Sequence, residues 1–231
     1  MKKIGLIGGI TWQSTQLYYQ YLNEAVNKAL GESHSCKLIL ESVDFQEISE
    51  KQSNGDWESL NTDFAEIGKI LENAGAGIIL IGANTMHLCA DSIKESTSIP
   101  LLHIAEATGE AIIAQGLDKV LLLGTKYTMG LDFYKDILKN QFGITTMVPS
   151  EADQELVHSI IYTELAKGII MPDSRKEYQA IIGKAEELGA QGVILGCTEI
   201  PLLIQQEHCN IPTFDTTYIH ANAAVKFALA K

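Results

Sequence analysis

Cationic side chains are scarce: 17 lysines and arginines stand against 29 acidic residues, for a formal net charge of −12, and Arg175 is the single arginine. A surface of that sign repels phosphate backbones and anionic headgroups, which argues against nucleic-acid and membrane partners. An anionic substrate would have to be held by backbone N–H groups, hydroxyls, amides and one or two local cations. Cysteine is sparse too. Cys36, Cys89, Cys197 and Cys209 form no CxxC pair and no zinc-type spacing with the six histidines, so free thiols and no metal are expected. No apolar run is long enough to span a bilayer, and the glycine-broken stretch after Met1-Lys2-Lys3 is too short for a secretion signal. A cytoplasmic, unprocessed chain is the expectation. What remains, 46% apolar and 20% charged in 231 residues, can bury a sizeable core.

Short Ile/Val/Leu-rich runs recur near residues 3–7, 37–43, 77–81, 119–123 and 192–195. Segments of helical period separate them, over 14–30, 60–74, 132–141, 153–167 and 174–188, each closed by a glycine suited to a helix stop. Strands alternating with helices predict an α/β fold with parallel sheets. The second strand is followed by the segment 44–57, which reads as a polar loop long enough to cover a site.

Three landmarks of the first half return in the second. Lys3–Gly9 matches Lys119–Thr125, Gly75–Ala83 matches Gly189–Cys197 without a gap, and Ile99-Pro100 matches Ile211-Pro212. Three matches in the same order argue for duplication. The expectation is therefore two pseudosymmetric, doubly wound parallel-sheet lobes, residues 1–104 plus 213–231 and residues 105–212. In such sheets ligands bind outside the carboxyl ends of the strands, which places the active site in the cleft between the lobes.

Two strand ends carry polar residues directly after an aliphatic run: Gly82-Ala83-Asn84-Thr85-Met86-His87 and Gly196-Cys197-Thr198-Glu199. A thiol at a strand-to-helix turn can act as a base or nucleophile. Cys197 taken alone reads more readily as a buried structural thiol, but the polar pair after it reverses that reading and favours function. The glycine-rich opening Gly5–Gly9 is not a dinucleotide fingerprint, because Ile7 occupies the second glycine's place. Backbone contact to a substrate carboxylate near Gly9, Ile10 and Thr11 is the better reading, alongside a plain tight turn. Thr125 and Thr128 occupy the corresponding second-lobe turn and either donate into the cleft or cap the next helix.

The opening Ile4–Thr15, the Asn84–His87 segment, Leu123–Met129 and Gly196–Glu199 together resemble the aspartate/glutamate racemase family, in particular its aspartate-racemase branch with broad-specificity amino-acid racemases. The resemblance covers the whole chain. It implies a cofactor-independent enzyme, without pyridoxal phosphate, acting on a small amino acid or dicarboxylate. One cysteine from each lobe would face the substrate Cα, one removing the proton and the other returning one on the opposite face. Inverting a stereocentre through a planar carbanion needs an acid and a base on opposite faces. Without an electron sink, donors such as Asn84, Thr85 and Thr198 must stabilise charge growing on the carboxylate. Glu199 belongs to the same substrate-binding group.

The sequence departs from that pattern where the first cysteine belongs: Ala83 stands there, and the chain's own repeat also pairs Ala83 with Cys197. Three explanations follow: an introduced Cys→Ala exchange, another proton carrier on that face, or a different reaction. Thr85, His87 and a held water are the candidates for another carrier, although packing or capping is the plainer reading of His87. Cys89 is expected to point away. The family also implies a side chain from the loop after the second strand for the distal carboxylate, and Gln52 is the choice there. Lys167, before Gly168, is either a second-lobe cation for that group or a lysine favouring a helix end. Tyr18, Tyr19 and Tyr21 make one helix aromatic, mostly for the core, with an exposed part suited to a homodimer. The alternatives to racemisation are a one-base lyase or isomerase using Cys197 alone, and a binding protein that has lost turnover.

Overall fold

The computed structural model describes residues 1–230. The chain divides into two compact units: Met1–Ile104 with the C-terminal segment from His220, and Ala105–Ile219. The first contains β1 (Ile4–Gly8), α1 (Trp12–Leu30), β2 (Leu38–Ser42), α2 (Phe45–Ser53), α3 (Trp57–Asn73), β3 (Ile78–Ile81) and α4 (Ala90–Ser96). From α5 (Ile104–Ile113) the chain continues through β4 (Lys119–Leu123), α6 (Lys126–Gly130), α7 (Asp132–Phe142), β5 (Thr145–Met147), α8 (Glu151–Thr163) and α9 (Pro172–Glu187). It ends with β6 (Gly192–Leu195), α10 (Ile200–Leu203), β7 (Thr213–Asp215) and α11 (Thr216–Leu229).

Each unit is an α/β layer around a parallel sheet, ordered β2-β1-β3 in the first and β5-β4-β6-β7 in the second. Alternation along the strands shows the double winding. Ile7, Ile79 and Ile81 pack with Leu60, Phe64 and Leu71 of α3, whereas Ile4, Leu6, Ile78 and Leu80 pack with Tyr18 and Leu22 of α1 and Ala221 and Val225 of α11. A strand buried on both faces must be continuously apolar, which is why these runs stood out in the sequence. In the second unit Leu121, Leu123, Val193 and Leu195 face the α8 and α9 side chains Val157, Ile161, Tyr178 and Ile181.

The duplication extends to single backbone hydrogen bonds. Gly77 N–H donates to Lys3 O at 2.8 Å, and Gln191 N–H to Lys119 O at 2.8 Å. Ile79 N–H donates to Pro100 O at 2.9 Å, and Val193 N–H to Pro212 O at 2.9 Å. The helix stops also agree, with Gly75 at φ 87° and Gly189 at φ 93°.

Three features differ from the sequence expectation. The segment 44–57 is a helix for most of its length, because Asp44 caps it by accepting from Gln46 N–H and Ile48 supplies a buried face. The helix expected over 153–167 ends at Thr163 and is followed by a 3-10 turn, Leu165–Lys167, closed by Gly168 at φ 73°. The strand Thr213–Asp215 pairs with β6, so residues 213–219 fall with the second unit and not, as expected, with the first.

Candidate active site

The carboxyl ends of β3 and β6 carry the two polar segments, and a shared backbone device shapes both. Gly82 N–H donates to Ile7 O at 2.8 Å and Gly196 N–H to Leu123 O at 2.7 Å. A Cβ at either glycine would sit 2.9 Å from Ile7 O or 2.7 Å from Leu123 O, so only glycine lets the strands run this close before the turn.

At the first end, Gly82 leads to half-buried Ala83, buried Asn84 and a 3-10 turn over Thr85–Cys89. The Ser14 hydroxyl donates to Gly82 O at 2.8 Å and ties the start of α1 to this strand end. Thr11 caps α1 by accepting from Ser14 N–H at 3.3 Å. The N–H of Gly9 donates to Thr15 Oγ1 at 2.7 Å, and the Thr15 hydroxyl donates to Thr11 O at 3.0 Å. The donor expected at Gly9 for a carboxylate is thus engaged within the turn, and Ile10 is buried among the apolar residues around α3. Thr85 is half-buried, and Cys89 is buried in that same apolar cluster.

His87 is packed, as its plainer reading held. Its Nε2 accepts the Ile104 N–H at 3.2 Å, which places the proton on Nδ1, where it is shared between Ala83 O at 2.9 Å and Asn84 O at 3.2 Å. The ring lies 4.5 Å from that of His103 and 5.6 Å from that of His220. His220 bonds Leu102 O through Nε2 at 2.9 Å and accepts the Tyr18 hydroxyl at Nδ1, 2.8 Å away. Burial holds all three imidazoles neutral, lowering His103 to about 3 and His220 to about 4 and pushing His87 well below its ordinary value. Among the described residues no group of three or more His, Cys, Asp or Glu is arranged to hold a metal ion.

At the second end the chemistry is acidic. Cys197 is half-buried, and its thiol donates to Glu199 Oε2 at 2.8 Å. The Thr198 hydroxyl donates to the same oxygen at 2.7 Å, and both Thr198 and Glu199 are buried. Burial, followed by the Glu199 charge, pushes the thiol well above its ordinary value, so its resting form is S–H. Thr125 caps α6, accepting from Thr128 N–H at 3.3 Å, and its oxygen lies 3.3 Å from Thr128 Oγ1.

Residues not singled out in the sequence complete this end. Tyr162 of α8 has its phenol pushed up to about 12, first by burial and then by Cys197, Tyr127 and Glu199, which puts it in the field of the thiol and the carboxylate. The half-buried Asp215 accepts the N–H groups of Thr217 and Tyr218, and desolvation raises its carboxyl. The Thr216 hydroxyl donates to Leu195 O at 3.0 Å, bracing the end of β6. These positions end or follow a three-residue strand or lie within a helix, so no local pattern marks them.

Comparison with known proteins identifies the family. The sequence profile of the family described as Asp/Glu/Hydantoin racemase matches residues 7–224. The chain belongs to this racemase family. It is 47% identical to the structure described as "a putative Asp/Glu Racemase from Yersinia pestis", with a TM-score of 0.95 and all of both chains covered. An aspartate racemase homologue from Pyrococcus horikoshii is 37% identical, with a TM-score of 0.89 and again full coverage of both. Over 167 residues, 69% of this chain and 68% of the other, the sequence is 27% identical to the broad specificity amino-acid racemase RacX of Bacillus subtilis. Membership supports a racemase-type function. Of the residues singled out in this racemase-family chain, Gly9, Ile10, Thr11, Gln52, Ala83, Asn84 and Thr85 lie in the first unit. Thr125, Lys167, Cys197, Thr198 and Glu199 lie in the second. Gln52 is buried in the last turn of α2, and Lys167 is exposed at the end of its 3-10 turn.

Proposed function

We propose that the protein carries out cofactor-independent proton chemistry at the Cα of a small amino acid such as aspartate or glutamate, with Cys197 as the acid/base on one face. The observation that carries this reading is the Cys197 thiol, hydrogen-bonded to Glu199 at the end of β6. The repeat assigns the other face to Ala83, whose methyl group has no proton to give. Two-way racemisation is therefore impaired in the chain as it stands, and one-face exchange remains open to it. Asn84 and Thr85 are the donors for charge developing on the substrate carboxylate, with Gln52 and Lys167 the candidates for a distal carboxylate, while the Thr198 hydroxyl expected among these donors is taken up by Glu199. A homodimer is part of the same reading, supported by Trp12 and Tyr19, both exposed on α1.

A thiol at one strand end and a methyl group at the position that the repeat pairs with it favour a second reading, a one-base lyase or isomerase acting on a carboxylate. Exchange into deuterated buffer with L- and D-aspartate and glutamate separates the two, run on this protein and on Ala83→Cys in parallel. The first reading expects Cα labelling with retention from the protein as it stands and labelling with inversion from Ala83→Cys. A decarboxylase would release carbon dioxide from a malonate-like acid instead. Absence of Cα labelling in both proteins would sink the amino-acid reading.

A further inference from the structure

The turn at the end of β3 is held by one imidazole. After Ala83 the chain winds as a 3-10 turn, in which His87 N–H donates to Asn84 O at 3.1 Å, three residues back. That winding leaves Ala83 O, which an α-helical turn would pair with the His87 N–H, to the His87 side chain. The Nδ1 proton is shared between Ala83 O at 2.9 Å and Asn84 O at 3.2 Å. These carbonyls belong to the two rigid peptide groups on either side of the Asn84 Cα, so holding both fixes the two soft dihedrals between them. Asn84 sits at φ −67° and ψ −53°, and its Cα–Cβ bond is aimed accordingly. The ring is anchored on its far side, where Nε2 accepts the N–H of Ile104, the first residue of α5. Only the neutral Nδ1–H form serves both arms: a proton on Nε2 would meet the Ile104 N–H, and a bare Nδ1 would set its lone pair against two carbonyl oxygens. Burial and the neighbouring His103 and His220 rings hold His87 neutral, and Lys94 acts on His103 in the same sense.

On the proposed function, on which this inference rests, the Asn84 amide is a donor for charge developing on the substrate carboxylate, and such a donor is most effective when it is aimed before the reaction begins. We propose that His87 is the positioning residue that aims Asn84, by pinning both of its flanking peptide groups through a single imidazole N–H. His87 moves no proton and acts only through Asn84. Its far arm stands on a firm footing. The chain leaves the first unit after Ile104 and returns to it at His220, and His220 bonds Leu102 O at 2.9 Å while its Nδ1 accepts the Tyr18 hydroxyl at 2.8 Å. Both crossings of the chain are thus tied to the histidine cluster that carries the His87 ring.

The test pairs two substitutions that each keep one arm. His87→Asn keeps a short amide donor for the Ala83 and Asn84 carbonyls and gives up Ile104, whereas the longer His87→Gln keeps an acceptor for the Ile104 N–H and gives up the pinning. With His87 aiming Asn84, His87→Gln lowers kcat for Cα exchange about tenfold or more with little change in KM, and His87→Asn recovers most of that loss. In a proton–nitrogen correlation spectrum the Asn84 side-chain amide signals shift in His87→Gln and stay near the parent positions in His87→Asn. If His87 only caps α5 or fills space, the order reverses, with His87→Gln closer to the parent, and the proposal is overturned. Combination with Asn84→Ala gives a second readout. The double variant with His87→Gln should exchange no more slowly than Asn84→Ala alone; additive losses overturn the assignment. The parent protein decides even if neither His87 variant folds, because imidazole nitrogen shifts that put the His87 proton on Nε2, or protons on both nitrogens, at pH 7 also overturn it. Absence of Cα exchange in the parent, with the Asn84 signals following the expected order in the two variants, would fault the substrate reading and leave the positioning of Asn84 standing.

Discussion

The ends of β3 and β6 share a backbone and differ in chemistry. The same glycine and the same strand-to-strand hydrogen bond recur at both, and the same helix-stop geometry precedes both strands. Beyond the glycines, one end has Ala83 and a nearby cluster of three neutral imidazoles, and the other has a thiol bonded to a carboxylate. Duplication preserved the scaffold that presents a side chain, and the presented side chain was free to change. On the proposed function, the second end is the one that moves protons.

The most forceful way to break this asymmetry is to remove the thiol. Cys197→Ala gives both strand ends a methyl group, and Cα exchange should fall about 10²- to 10⁴-fold, the usual worth of one positioned acid/base group. Deuterium incorporation followed by NMR reads the result. Exchange persisting at the parent rate would take Cys197 out of the mechanism and shift attention to the first end.

Acid should separate the ends by stability. For His103 and His220 the folded-state values, about 3 and about 4, lie below the ordinary 6.5, so folding favours the neutral rings. Their stabilising contribution is complete above about pH 6.5 and is lost as the pH falls towards the folded values. Each unit between the two values is worth about 1.4 kcal/mol, which puts several kcal/mol at stake. At the second end the sign reverses, because burial raises the Asp215 carboxyl and protonation relieves its desolvation. Hydrogen exchange at pH 4.5 against pH 7 should therefore show peptides around residues 78–89 and 100–104 losing protection before those around 192–204. Equal loss in both would mean that the imidazoles do not set the acid limit.

Much of this molecule was legible in the sequence, for reasons particular elements make plain. Strands β1, β3, β4 and β6 are buried on both faces and had to be aliphatic, and the repeat located their ends. Strands β5 and β7, Thr-Thr-Met and Thr-Phe-Asp, are three residues long and leave no periodic trace. Helix α2 was hidden because only Ile48 and Gln52 are buried along its nine residues. At the site, sequence could pair Ala83 with Cys197 but could not foresee that Gly9 N–H is engaged by Thr15. Nor could it gather Tyr18, His87, His103 and His220, which are scattered along the chain, into one cluster. The Cys197–Glu199 bond depends on the turn between residues two apart, which spacing alone does not specify.

The smallest expected effect tests the comparison at the helix starts. Thr11 and Thr125 cap their helices with the same 3.3 Å bond, to Ser14 N–H and Thr128 N–H. Replacing either by alanine should cost about 1 kcal/mol, or about 2–4 °C in Tm for a chain of this size. Capping uses the threonine oxygen as an acceptor, whereas binding a substrate carboxylate uses the hydroxyl as a donor. Aspartate retains the first ability, lacks the second and adds a repelling charge. Thr125→Asp should therefore hold Tm near the parent value; if Thr125 also contacts substrate, KM rises without a matching change in Tm. Thr11→Asp supplies the control on the duplicated turn, where the neighbouring Gly9 donor is already engaged. A KM rise confined to Thr125→Asp would extend the functional asymmetry from the strand ends to the helix starts. Unchanged KM in both variants would leave the two threonines as caps alone and confine the asymmetry to the strand ends.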